Sequence, residues 1–446
     1  MPSLRRPRGG LWNHPDFLKL WTGQSISEFG SQISQLAIPW LAAVGLHASA
    51  FEFSLLSVLG FLPFILFALP AGVWVDRLRR RPLLIVGDAS RALLLGYVPV
   101  AWALGFLDIG QLFAIQFVVG IVTVFFDVAY QSYLPSLVAR DQLIEGNSKL
   151  QTTVSAAQIG GPGLAGVLIG VITAPYAIAL DAASFVVSTA FMLPIRAPET
   201  LPERAEGEPR ARLLAELGEG LAYVLRHRHL KWIAACTATS NYFGQMIFAI
   251  GLLYMVRELH MSSFAAGAVF ACFGIGSIVG ALSATRLSTA VGVGRAILIP
   301  AVLFSLAGLA FPLTPISFPV PLLVLGTLAF GFGSTSYNIT QVSLRQAITP
   351  ERLQGRMNAS MRWIVWGTIP LGALTGGALA GAYGLRTALW VGAIGGLFTF
   401  LPVLLSSVRS IEEMPEPISE PTPTDAVAVG GLVEPTTPLA GTATDA

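Results

Sequence analysis

The sequence predicts an all-α membrane protein of about twelve transmembrane helices, arranged as two pseudo-symmetric six-helix halves. Three observations predict it. Of the 446 residues, 54% are apolar and 12% charged, with a mean hydropathy of +0.68, a balance that a soluble chain of this length does not sustain. The apolar residues fall into runs of about 20 or more, the length an α-helix needs to cross the hydrocarbon core. Lysine and arginine gather in every second connection between those runs, as they do in cytoplasmic loops.

The first run, from about Leu20 to Leu46, follows a short arm carrying Arg5, Arg6 and Arg8. It is too long and too rich in polar residues for the core of a signal peptide, so it reads as a retained helix. Further crossings are expected near 51–75, 83–106, 110–134, 146–172 and 174–195, and then near 231–257, 263–286, 295–314, 318–344, 355–382 and 384–407. Basic residues lie in the N-terminal arm, in the turn Arg77–Arg81, at Arg140 and Lys149, between Arg196 and Lys231, at Arg286 and Arg295, and from Arg345 to Arg362; the opposite connections hold only Arg257 and Arg386. An even number of crossings follows, with both termini cytoplasmic and the chain multi-pass in the plasma (inner) membrane. The expected units are a cytoplasmic arm (1–16), an N-terminal bundle (17–195), a linker (196–230), a C-terminal bundle (231–408) and a disordered tail (409–446).

Between Arg196 and Lys231 the composition shifts to proline, glutamate and arginine, and then places Leu213, Leu214, Leu217 and Leu221 on one helical face. That pattern predicts an interfacial helix. The halves on either side look like distant copies: Tyr130–Pro162 aligns with Tyr337–Pro370, so that Asp141, Leu143 and Asn147 parallel Glu351, Leu353 and Asn358. After Ser410 the chain is rich in Pro, Thr, Ala and Glu and has no apolar period, the composition of a disordered segment.

The turn between the second and third runs reads A-G-V-W-V-D-R-L-R-R-R-P from Ala71 to Pro82. Arginine at a helix centre costs about 2.5–3.5 kcal/mol, so four of them in five residues hold this turn on the cytoplasmic side. Gly72, Asp76, Arg77, Arg80 and Arg81 in this spacing resemble the signature loop of the major facilitator superfamily. The resemblance implies a cytoplasmic gate formed by these residues and by Arg352, Gly355 and Arg356 in P-E-R-L-Q-G-R-M-N-A from Pro350. Asp76 would cap the eleventh helix near Leu353.

Q-I-G-G-P-G-L-A-G-V-L-I-G, from Gln158 to Gly170, permits close helix packing and a bend at Pro162. Through Gly161, Pro162, Gly163 and Gly166 it also resembles the glycine-proline signature of the superfamily's exporters. F-L-K-L-W-T-G-Q-S-I-S-E-F-G from Phe17, F-F-D-V-A-Y-Q-S-Y-L-P from Phe125 and D-A-A-S-F from Asp181 are similar to the branch holding macrolide-efflux and enterobactin-exporter-like proteins. That branch implies export of amphipathic small molecules in exchange for protons. One departure is on the fourth helix, where the superfamily often has a buried arginine four residues before a glycine and this chain has Gln116 before Gly120.

Ionisable residues inside the membrane are costly and functional by default. Glu28, Asp127 and Asp181 fall within apolar runs, and Asp88 lies beside Arg91, placed nearer the cytoplasmic rim. No acidic residue occurs from Leu259 to Pro350 or from Arg352 to Ile411, so carboxylate-based proton coupling is expected in the N-terminal half, at Glu28 and Asp127. Glu28 falls near the bilayer midplane with Gln24, Ser31 and Gln35 on its face, where low dielectric disfavours a fixed charge and lets a proton bind and leave during one cycle. The expected substrate cavity is lined by Gln24, Gln35, Gln116, Gln131, Asn241, Gln245, Asn338, Gln341 and Trp363, few polar anchors on an apolar wall, which suits an amphipathic ligand and not a sugar.

Other classes fit less well. Lys19, Lys149 and Lys231 are the only lysines and none follows a glycine, so no phosphate-binding loop is present. Five histidines without paired-ligand spacing, and Cys236 and Cys272 in apolar runs, predict neither a metal nor another cofactor, nor an enzyme. A net charge of +2 without a basic patch argues against nucleic acid. The expected partners are a small molecule, protons and the lipid bilayer, with the chain a monomer; an importer of the same fold and a membrane sensor or enzyme are the alternatives.

Overall fold

The computed structural model describes residues 10–75, 78–195 and 210–415, with the side chains of Leu69, Val73, Arg140 and residues 210–217 left out. Asp76, Arg77, the basic arm, the first part of the linker and the tail beyond 415 lie outside the described residues. Helices α1 (Pro15–Trp40), α2 (Ala50–Val75), α3 (Arg80–Ala103), α4 (Ile109–Leu137), α5 (Leu143–Ile172) and α6 (Ala174–Met192) come first. The linker helix α7 (Arg210–Arg226) follows, and then α8 (Leu230–Arg257), α9 (Ser263–Val291), α10 (Val293–Leu313), α11 (Val320–Ala347), α12 (Glu351–Tyr383) and α13 (Leu385–Leu404). Ten of these are long and apolar enough to cross a membrane; α1 and α8 have the length but carry more polar residues, and together they make twelve among the described residues.

Local chemistry sets several helix starts. Nδ1 of His14 accepts the N–H of Phe17 at 3.1 Å ahead of Pro15, and Asp108 and Gln111 form a capping box before α4. Arg81 turns back across the bundle and donates to the last carbonyls of α6, to Leu193 O at 2.6 Å and Met192 O at 3.4 Å. A cation there satisfies orphan acceptors at the negative end of the helix dipole.

The two halves repeat one packing scheme. In the first, α1 packs on α5 and α6, and α4 on α2 and α3; in the second, α8 packs on α12 and α13, and α11 on α9 and α10. The tight turns match as well: Thr173 between α5 and α6 has φ 70°, and Gly384 between α12 and α13 has φ 89°. Glycine takes this backbone freely, whereas a β-branched threonine is strained in it.

The halves meet through α5 against α9 and α12 against α2. A side chain on Gly267 would overlap the carbonyl of Pro162, and one on Gly377 would overlap Ser54, so both crossings bring backbones together. Arg257 adds Nη2 donation to Ala48 O at 2.7 Å. These contacts lie toward the end of the bundle that holds the connections 41–49 and 258–262. At the opposite, linker end, Gly72 and Gly355 have no described atom within 4 Å of where a side chain would begin. The described contacts between the halves thus close the bundle at one end.

Helix α7 lies against the linker end of α12. Gly220 meets the backbone of Arg356, Glu219 pairs with Arg356 and lies 3.9 Å from Arg352, and Tyr223 Oη donates to Ile348 O at 3.2 Å. Between α7 and α8, Nδ1 of His227 accepts the N–H groups of His229 and Leu230, and burial, followed by the neighbouring His229, lowers its proton affinity below the ordinary value. The native junction therefore prefers neutral His227. Its contribution is complete above the unfolded pKa, about 6.5, and is lost as pH falls through the lower folded value. Amide protection factors at His229 and Leu230, taken relative to the intrinsic exchange rate at each pH, should fall on acidification from pH ~7.5 to ~5.5, and His227→Gln should remove that dependence.

Candidate functional site

Between the halves lies a cavity of about 920 Å³. One wall comes from α1, α2 and α5 with Gln32, Gln35, Phe53, Ser57, Ser155 and Gln158; the other comes from α8, α9 and α11 with Asn241, Gln245, Phe248, Phe270, Phe273 and Phe330. Among the described residues, no ionisable side chain lines it. Amides and hydroxyls are spaced among aromatic rings, which suits a bulky, largely apolar ligand with a few hydrogen-bonding groups. Gly161 lets Gln32 pass: a side chain there would overlap Gln32 Cβ. Asn241 is held by donation to Val365 O at 3.0 Å.

Of the cavity residues expected from sequence, the structure brings Gln35, Asn241 and Gln245 to the lining. The others lie elsewhere. Gln24 donates to Ser188 Oγ at 3.4 Å, inside the first bundle, and Gln116 packs against Gly60 of α2. Gln341 is buried within the second bundle, while Gln131, Asn338 and Trp363 are exposed outside the cavity. It is Trp366, one turn from Trp363, that packs against the opposite half, its ring 5.9 Å from Phe61. Gln32, Gln158 and the phenylalanines were not anticipated; Gln32 and Gln35, three residues apart on one helical face, were the available signal.

A second polar group lies inside the first bundle. Glu28, thirteen residues past the start of the 26-residue α1, lies one turn from the cavity residue Gln32 and within electrostatic reach of it. Asp127 of α4 is within electrostatic reach of Glu28, and both are within reach of Arg91 on α3. Arg91 and Asp88 are both buried and paired, Nη2 to Oδ1, at 2.5 Å. Asp88 Oδ2 accepts from Ser188 Oγ at 2.6 Å, and the guanidinium lies over Phe126 and Phe185, 4.0 and 4.3 Å from the ring centroids. Asp181 of α6 accepts from Ser184 Oγ at 3.2 Å, and Gly30 of α1 leaves room for both. Breaking a buried pair of this kind from one side costs about 3–5 kcal/mol.

Residues 12–431 match the transmembrane secretion effector family. The chain belongs to that family, within the major facilitator superfamily. It is a membrane transporter, not an enzyme. The multidrug efflux pump Tap of Mycolicibacterium fortuitum is 27% identical over 397 residues, which cover 86% of this chain and 91% of Tap. Macrolide efflux protein A of Streptococcus pyogenes is 28% identical over 215 residues, 48% of this chain and 52% of that protein. Among solved structures, a bacterial homologue of the iron transporter ferroportin in the inward-facing state superposes with a TM-score of 0.68 at 16% identity, covering 87% of this chain and 98% of that one. The nucleoside transporter NupG gives 0.70 at 13% identity, with 87% and 98% covered. At those identities the superpositions speak for the fold alone.

The glycine-proline stretch of α5 has a structural use in three of its four positions. Pro162 lines the cavity, Gly161 admits Gln32, and Gly166 lies against α9, where its carbonyl accepts from Ser263 Oγ at 2.9 Å. Gly163 has open space around it. At the linker end, Arg81 is engaged with α6, and Arg352 and Arg356 with Glu219 of α7, a partner that sequence reasoning did not supply.

Proposed function

We propose that this transporter exports amphipathic small molecules, of the drug, antibiotic or siderophore-like kind, in exchange for protons by alternating access around the central cavity. The observation that carries this reading is the cavity itself: both halves line it, it is large, and its wall offers aromatic and amide surface without a charge. The efflux function in the names of Tap and macrolide efflux protein A supports the outward direction. Glu28 and Asp127 are the proton carriers. Gln32 connects Glu28 to the cavity wall, so that loss of a proton at Glu28 is felt where the ligand sits.

In this reading both termini and the linker are cytoplasmic, the chain works as a monomer in the plasma (inner) membrane, and the closed opposite end makes the structure inward-facing. Gly72, Asp76, Arg77, Arg80 and Arg81 with Arg352, Gly355 and Arg356 form the cytoplasmic gate, in which Asp76 caps α12 when that end closes, and Glu219 holds the arginines of α12 while it is open.

The test compares accumulation of a neutral amphipathic dye, Nile Red, in cells with and without the protein. Cells holding it should accumulate several-fold less, and a proton uncoupler should erase the difference. Equal accumulation, or a difference that survives the uncoupler, argues against proton-driven export. Orientation is checked on the same cells: a cysteine at Ser49 should react with an impermeant thiol reagent added outside, and one at Glu206 should not.

A further inference from the structure

The Asp88–Arg91 pair is buried inside the first bundle, between α3, α4 and α6. We propose that Arg91 is the shared counter-charge of the coupling carboxyls: a positioning residue, fixed by Asp88 and two aromatic rings, that sets the pH range over which Glu28 and Asp127 exchange protons. This rests on the reading of those two carboxyls as proton carriers.

α1, α4 and α6 each bring a carboxyl within electrostatic reach of Arg91: Glu28, Asp127 and Asp181. Asp88 comes from α3 itself, and Tyr130 of α4, which interacts with Glu28 and Asp127, is the other titratable group facing the cluster. A single guanidinium cannot neutralise four carboxylates in a low-dielectric interior, so protons must make up the difference. Arginine stays charged in proteins, which makes it the fixed reference against which the acids load and unload.

Arg91 is also held so that only one edge is committed. Phe126 and Phe185 cover the guanidinium, Nη2 donates to Asp88, and Nε is buried without a hydrogen-bond partner among the described residues. Asp88 in turn is fixed by Ser188, which also accepts from Gln24 of α1, the helix that carries Glu28. A guanidinium has five donors in a rigid fork, so the uncommitted donor is the place for a second carboxylate or a water when one of the neighbouring acids loses its proton.

The test needs no transported ligand. Full-length protein in lipid nanodiscs is titrated by infrared difference spectroscopy, following the C=O stretch of protonated carboxyls. Arg91→Gln should move the midpoint up by about one pH unit, tenfold in proton affinity, because the acids lose their counter-charge. Asp88→Asn should move it down, because Arg91 is released to its neighbours. If a variant does not fold, wild-type protein carrying isotope-labelled arginine still decides: a guanidinium band should shift at the midpoint of the carboxyl band. Unmoved midpoints in folded variants, a silent guanidinium, or a wild-type carboxyl band that does not titrate would overturn the proposal and leave the pair as a structural tether. Opposite shifts in the two variants, together with transport that ignores a pH gradient, would keep the counter-charge role and reject the coupling reading instead.

Discussion

Glu28→Gln is expected to abolish proton-driven efflux while part of ligand binding survives. Gln32, one turn along α1 from Glu28 and on the cavity wall, is the amide placed to bond it, while Gln24 is turned to Ser188. An amide at position 28 can still bond Gln32, so a purely structural carboxyl would tolerate the change. A proton carrier would not, since glutamine cannot release a proton. The measurement is efflux driven by an imposed pH gradient, with ligand binding followed on the same purified variant. Full efflux at wild-type expression would be falsifying for Glu28 and would move the assignment to Asp127.

The second large effect is expected at the crossing of α5 and α9. Gly267 lies against the carbonyl of Pro162 and the backbone of Gly166, and Ser263 bonds Gly166 O, so the two backbones touch where the bundle is closed. A leucine at Gly267 has no space in this state. Overpacking of this kind costs about 1–3 kcal/mol, enough to shift a two-state balance by about 5- to 150-fold. Gly267→Leu should therefore favour the state open at the closed end of this structure, and transport should fall by about tenfold or more. A cysteine placed at Ser57, on the cavity wall, should react faster with an impermeant reagent from outside in that background, with Cys236 and Cys272 replaced by serine. Unchanged reactivity with unchanged transport would show that this crossing does not close the pathway.

The contrast between Gly267 and Gly163 shows what a sequence can and cannot supply. Runs of apolar residues and the alternation of basic turns were enough to place the helices, because hydrocarbon thickness and the cost of charge act on composition alone. The family followed from local motifs. The polar face of α1 was legible as a stripe through Gln24, Glu28, Ser31 and Gln35, but this helix borders two interiors, the bundle and the cavity. Gln24 serves the first and Gln35 the second. Nothing in the spacing separates them. Asp88 and Arg91 follow a basic turn closely, and their spacing does not tell that both are buried inside the bundle, against Ser188, Phe126 and Phe185. Trp363 and Trp366 are the same residue type one turn apart, so residue type does not separate them; the approach of α2 to α12 decides for Trp366. The partner of Arg352 and Arg356 comes from a linker helix whose position no pattern in α12 foretells.

The central claim is that one cavity is exposed alternately to the two sides and that protons drive the exchange. Purified protein in proteoliposomes, given a pH gradient and Nile Red, tests it without other cellular pumps. Dye should move against its own concentration gradient while the pH gradient lasts and relax when an ionophore collapses it. Dye that only equilibrates, at a rate indifferent to the pH gradient, would contradict the account.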